Sequence, residues 1–191
     1  MASEKEIPVL AGKIGSDLHL VEIVKSRRTT SVGGMTTNEL VVAIKGVKEK
    51  NEIAIEAMFI IDKIVSAQKK EQIDHIILTV RDLGFTSNTR TDAFMTKKFC
   101  AEWSAKHLDG YIIEICEPED GLQLRLQYQD QPKGETLWVA MERIADFLGY
   151  HNVFCVRRDG SGSRWLNVYW VFENGLWPLD YLLMFRLRKI V

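Results

Sequence analysis

The sequence is poor in proline and cysteine, carries no excess of either charge, and has no long apolar run. Four prolines in 191 residues, with 46% hydrophobic and 27% charged residues, exclude a disordered, collagen-like or low-complexity chain. Three cysteines, Cys100, Cys116 and Cys155, are an odd number without CxxC spacing. They lie in apolar stretches where a free thiol behaves as a small hydrophobe, which points to a reducing cytoplasm. Twenty-five Lys and Arg against 26 Asp and Glu leave a formal charge of −1, which excludes coating of nucleic acid by bulk attraction, so any anion site must be local. No run approaches the roughly 18 apolar residues of a membrane span, and no membrane partner is expected. Met1 to Glu6 is polar and acidic and the apolar run after it breaks at Gly12, unlike a secretory signal. The chain reads as one globular domain over 1–191. At this length folding hides on the order of 70% of the unfolded surface, so no disulfide or metal staple is required.

What is there is an uneven series of helix and strand signals. Leu18 to Lys25 alternates β-branched and polar residues as a strand does, and Ser26 to Gly34 is polar and flexible enough for a loop. Thr36 with Glu39 matches a capping box, although Leu40 to Ile44 looks more like a strand. From Asn51 to Lys70, Ile53, Ala57, Ile60, Ile61, Ile64 and Ala67 recur at three and four, which predicts an amphipathic helix. Asp74 to Arg81 is a short apolar run typical of a central strand. Thr91 or Asp92 can cap a helix carrying Met95, Phe99 and Trp103 on one face and ending at Gly110, and Tyr111 to Cys116 follows as a strand. Leu122, Leu124, Leu126 and Tyr128 alternate with Gln123, Arg125, Gln127 and Gln129, predicting a strand with one wet face, whereas Glu135 to Leu148 spaces its apolar residues as a helix. Val153 to Val156 and Trp165 to Phe172 read as the arms of a hairpin turning at Asp159-Gly160-Ser161-Gly162, and Tyr181 to Leu187 as a final strand. The expected class is α+β: a mixed or mainly antiparallel sheet of about seven strands packed by about three helices.

No motif names a reaction or a family. Three segments rich in Arg, Ser, Thr and Gly, Ser26–Thr37, Arg81–Thr91 and Arg157–Arg164, are the best lead, because guanidinium groups chelate phosphate through paired donors and glycines let backbone amides approach an anion. Arg27, Arg28, Arg90, Arg157, Arg158 and Arg164 are therefore the candidate ligand-binding residues, with Arg90 placed just before a predicted helix start that would favour an anion. Their glycines lack the spacing of a P-loop or a dinucleotide fold. Ordinary exposed loops have the same composition.

The aromatic residues of the last third, Trp165, Tyr169, Trp170, Phe172, Trp177, Tyr181 and Phe185, suit either a packed core or a surface that stacks bases or anchors a partner protein. Asp109, Glu114 and Glu117 could hold Mg²⁺ for phosphodiester cleavage. The position two after Glu114, where a restriction-type nuclease core carries a charge-stabilising lysine, is Cys116, so a solvated acidic turn is the favoured reading. His19, His75, His107 and His151 have no partner at zinc spacing and read as structural. With no nucleophile, metal ligand set or cofactor motif in view, the chain reads as a binding protein and not an enzyme. Its expected ligand is a nucleic acid or nucleotide; the alternatives are a protein-interaction module using the aromatic surface and a metal-dependent hydrolase.

Overall fold

A computed structural model describes residues 27–47, 51–172 and 174–190; the strand expected at Leu18–Lys25 lies outside them. The first strand, β1 (Arg27–Val32), lies where a loop is expected. It pairs antiparallel with β3 (Glu71–Thr79), placing Thr30 opposite Ile73. Gly33, at φ +85°, then turns the chain beneath the carbonyl of Lys69, where a Cβ would sit 2.1 Å from the Lys69 oxygen; only glycine fits. The capping box is real. The Thr36 hydroxyl accepts from the Glu39 N–H and the Glu39 carboxylate accepts from the Thr36 N–H. It starts helix α1 (Thr37–Gly46), which replaces the strand expected at Leu40–Ile44 and buries Leu40 and Ile44.

The helix expected over Asn51–Lys70 is much shorter. Asn51–Ile53 is strand β2, and α2 runs only from Ile55 to Ile61. Beyond it the backbone is held by groups outside any helix: the Thr37 hydroxyl donates to the Ile64 carbonyl, the Gly34 N–H to the Ala67 carbonyl, and the Ala67 N–H to Glu119. After β3 come β4 (Thr89–Arg90) and a three-residue 3₁₀ turn at Thr91–Ala93; α3 (Lys97–His107) is capped by the Thr96 hydroxyl, not by Thr91 or Asp92. Strand β5 (Tyr111–Glu114) follows, as expected.

The stretch read as an alternating strand is helix α4 (Pro118–Gln127), with proline in its first turn and a capping box between Glu117 and Asp120. The stretch read as a helix is β6 (Thr136–Val139) and β7 (Ile144–Ala145). The hairpin stands as expected, with β8 (His151–Arg158) against β9 (Arg164–Trp170). The short β10 (Leu176–Trp177) pairs with β4, and β11 (Leu182–Lys189) completes the main sheet.

That sheet has nine strands, seven of them in the order β1-β3-β11-β6-β8-β9-β2, with β5 on β11 and β7 on β8. Most neighbours are antiparallel; β6 with β11 and β2 with β9 are parallel. With the four α-helices among the described residues, the protein is α+β.

The sheet is strongly curled. Six gaps of about 4.8 Å would put roughly 29 Å between β1 and β2 in a flat sheet, yet α4, on the order of 10 Å wide, reaches both: Gln127 bonds the backbone of Ser31 in β1, and Asn51 in β2 donates to the Arg125 carbonyl. Helix α4 therefore sits in the concave face, buried continuously from Glu119 to Arg125. It packs closely on β8, where a Cβ on Gly121 would meet Phe154 at 3.1 Å. On the opposite face lie Phe94, Trp103 and a cluster in which the rings of Trp138 and Tyr181 stack at 3.9 Å, flanked by Tyr169 and Trp177.

Candidate functional site

The six arginines divide. Arg28 points to the α4 side, with its guanidinium 3.6 Å from the centre of the Tyr128 ring and bonded to Asp130 at 3.1 Å. Arg158 donates to the Gln131 carbonyl at 2.7 Å, and its cross-strand neighbour Arg164 is buried. These three surround the end of α4, where sequence reasoning missed Arg125. Arg125 is wholly buried and closes the helix by donating to the Tyr128 carbonyl and to Gln131. Burial, then the charges of Arg164 and Arg158, push the Arg125 pKa down to about 10. Lys133 joins them, its side chain and that of Arg158 flanking Gly162.

The other three lie apart. Arg27 pairs with Asp74 on the far face of the sheet. Arg157 is exposed, and strand alternation turns it from the face that Arg158 uses. Arg90 stands in the two-stranded β4–β10 ribbon beside Asp92 and Asn174. No α-helix starts there, so the anion-binding helix end expected at Arg90 is absent.

A second region is apolar and exposed. Helix α2 presents Ile55 and Phe59; the loop after β7 presents Phe147 and Leu148, which are 67% and 66% exposed; the end of β9 presents Trp170 at 47%, followed by Phe172 at 59%. Their rings touch in two groups. Phe59 meets Phe147 edge to face at 4.8 Å, Tyr150 stacks on Trp170 at 5.7 Å, and Trp170 meets Phe172 at 6.3 Å. The turn that follows α2 is tied to β7 by a bond from the Lys63 ammonium to the Ala145 carbonyl. Between α2 and β9 runs a groove of about 420 Å³ floored by Asn167, Val168 and Tyr169. Strand β2 covers β9 only from Arg164 to Leu166, so among the described residues no strand lies beside the outer edge of Asn167–Trp170. Trp177, the other tryptophan weighed as a surface anchor, is 1% exposed and donates through its indole N–H to the Thr91 hydroxyl at 2.7 Å.

A third region is polar and enclosed. His75 of β3, Cys116 just before α4, and Asp120 in its first turn are all buried, with donor atoms within 4.8 Å of one another. Arg186 of β11 grips Asp120 through both carboxylate oxygens, at 2.6 and 2.8 Å. Burial raises the Asp120 pKa, but the approach of His75 Nε2 at 3.6 Å, the hydrogen bonds from Arg186 and the nearby positive charge outweigh it and hold the carboxyl below its usual range. Burial first, then the Asp120 charge, raises the Cys116 thiol well above its ordinary value, and the thiol donates to the Met184 carbonyl at 3.3 Å. The other two cysteines are also free and buried, Cys100 pushed to about 11 and Cys155 to about 12, chiefly by burial. Protonated, enclosed thiols do not act as nucleophiles. The acidic set weighed for Mg²⁺ does not assemble: Glu114 is paired with Arg188, Glu117 begins α4, and Asp109 lies in an exposed turn. Among the described residues His75, Cys116 and Asp120 are the one group of three such side chains close enough to hold a metal ion.

A curled mixed sheet closed around one helix, with exposed aromatic side chains at one sheet edge, makes this an α+β protein. No protein-family model matches the chain, and no curated protein or solved structure matches it either. No described helix is long and apolar enough to cross a membrane.

Proposed function

We propose that the protein is a binding module that holds an extended apolar segment of a partner protein along the outer edge of β9. The observation that carries this is the coincidence of Phe147, Tyr150, Trp170 and Phe172, all exposed, with a sheet edge that no described strand covers. Exposed contiguous apolar surface is unusual on a monomer, and aromatic side chains are the residues that most often anchor interfaces. An uncovered edge offers N–H and C=O groups to an added strand, while pockets beside it select alternate side chains. The groove floored by Asn167 to Tyr169 is such a pocket. A peptide-display selection against the full chain tests the reading. The expected result is enrichment of sequences alternating large apolar and polar residues, whose affinity falls at least about tenfold in Trp170→Ala, the scale of a modest interface anchor. No enrichment, or selected peptides that bind Trp170→Ala equally well, refutes it; concentration-dependent self-association lost in Trp170→Ala would make a second copy the partner and refute the foreign-segment reading.

A second reading is favoured by one observation: Arg28, Arg125, Arg158, Arg164 and Lys133 gather at the end of α4. Such a cluster suits phosphate groups of a nucleotide or nucleic acid. A panel of nucleotides and oligonucleotides at low salt should then show binding weakened by Arg28→Ala and Arg158→Ala but not by Arg90→Ala, which stands apart. A flat panel removes this reading.

A further inference from the structure

We propose that His75, Cys116 and Asp120 bind a single divalent transition-metal ion, zinc by the chemistry of the donors. The three supply one imidazole nitrogen, one sulfur and one carboxylate oxygen, all within 4.8 Å of one another. Zinc takes these ligand types at about 2.0–2.3 Å in a tetrahedron, which sets donors roughly 3.3–3.6 Å apart; His75 Nε2 and Asp120 Oδ2 already stand at 3.6 Å, and side-chain movements of about 1 Å bring the set to that spacing. Magnesium and calcium prefer all-oxygen shells and fit this set poorly.

A separate observation points to a missing partner. His75 is 0% exposed, yet neither ring nitrogen makes a hydrogen bond; its closest approach is 3.6 Å from Nε2 to Asp120. Buried polar atoms are nearly always partnered, and an ion or water at the site is one of the standard explanations of an orphan. An ion on one imidazole nitrogen supplies that partner.

The surroundings suit a ligand set. The donors sit on a central strand and the first turn of a buried helix, so they are held before the ion arrives. Asp120 Oδ2 accepts from Arg186 Nε and the Glu117 N–H, whereas Oδ1 accepts only from Arg186 Nη2 and keeps a lone pair. Arg186 then acts as an outer partner that orients the ligating carboxylate. Binding replaces the thiol proton of Cys116, which leaves to solvent with loss of its bond to Met184, so one proton is released from the thiol per ion. Three protein ligands leave a fourth position for water.

The test uses the full metal-stripped chain titrated with Co²⁺. Expected are one ion bound per chain, a thiolate-to-cobalt charge-transfer band with tetrahedral visible bands, displacement by Zn²⁺ but not Mg²⁺, loss of the charge-transfer band in Cys116→Ser, and at least about tenfold weaker binding in His75→Ala. Should the variants not fold, X-ray absorption of the zinc-loaded wild type decides, with one sulfur expected at about 2.3 Å beside lighter ligands at about 2.0 Å. Absence of the band in the wild type, its persistence in Cys116→Ser, or a zinc shell without sulfur overturns the proposal and leaves a buried ion-pair network only.

Discussion

Tyr169 and Trp170 are neighbours on β9, yet one belongs to the interior and the other to the surface. Tyr169 packs against Trp138, Trp177 and Tyr181, whereas Trp170 lies between Tyr150 and Phe172 at the sheet edge. Strand alternation sends the two rings to opposite faces. On the first face the β4–β10 ribbon and Phe94 complete the cover; on the second, the cover stops at α2. Equal aromatic content therefore does different work in the two places, filling a core in one and standing open to solvent in the other. The polar groups show the reverse arrangement, with Asp120, His75 and Arg125 inside and Arg186, the partner of Asp120, reaching the surface.

This contrast can be broken by substitution, and the effects should fall in a definite order. Trp177→Ala removes a buried ring and should cost about 3–5 kcal/mol, read as a lowered urea midpoint with unchanged slope. Arg186→Met leaves the Asp120 carboxylate buried without its guanidinium and should cost about 3 kcal/mol at neutral pH, measured the same way. Gly121→Ala forces a methyl group against Phe154 and should cost about 1–3 kcal/mol by overpacking α4 on β8. Trp170→Ala should change stability by no more than about 0.5 kcal/mol while weakening peptide capture at least about tenfold. A loss as large as that of Trp177→Ala would place Trp170 in the core and end the comparison.

The polar interior also predicts an acid-sensitive share of stability. Because the folded Asp120 pKa lies below its unfolded value of about 3.8, its contribution is fully present above that value and disappears as pH falls below 3.8 through the folded pKa. Urea denaturation at pH 6 and pH 3 should show a steeper loss for wild type than for Asp120→Asn. Parallel losses would mean that other carboxylates carry the effect.

The signals that were legible in sequence are local. Ile76, Ile77 and Leu78 announce a central strand because apolar residues on both of its faces pack against the core, and Asp159-Gly160-Ser161-Gly162 announces a hairpin because its Asp159 carboxylate accepts bonds from Ser161, Gly162 and Ser163 within the turn itself. The misreadings are equally specific. Leu122 to Gln129 alternates as a strand would, but α4 is enclosed on all sides, so Gln123 and Arg125 are buried beside Leu122 and Leu124 and polarity no longer marks a wet face. Pro118 followed by Glu119 and Asp120 was the helix signal available there. Leu137 and Val139 are buried with Trp138 turned to the other face, a period of two masked by Met141, Ile144, Phe147 and Leu148, of which the last two are exposed.

The candidate site was less legible still. His75, Cys116, Asp120 and Arg186 span more than a hundred residues and share no motif, and the arginines of three segments were grouped by composition when only Arg28, Arg158 and Arg164 lie around the end of α4.

The sequence by itself determined the class, the central strands, the hairpin and the α1 cap, because burial on both strand faces, turn geometry and capping are decided by residues a few positions apart. Tertiary structure alone decided that the sheet curls around α4, that one aromatic cluster is covered and another left open, and that a histidine, a cysteine and an aspartate meet, since each depends on contacts between segments that no local pattern encodes.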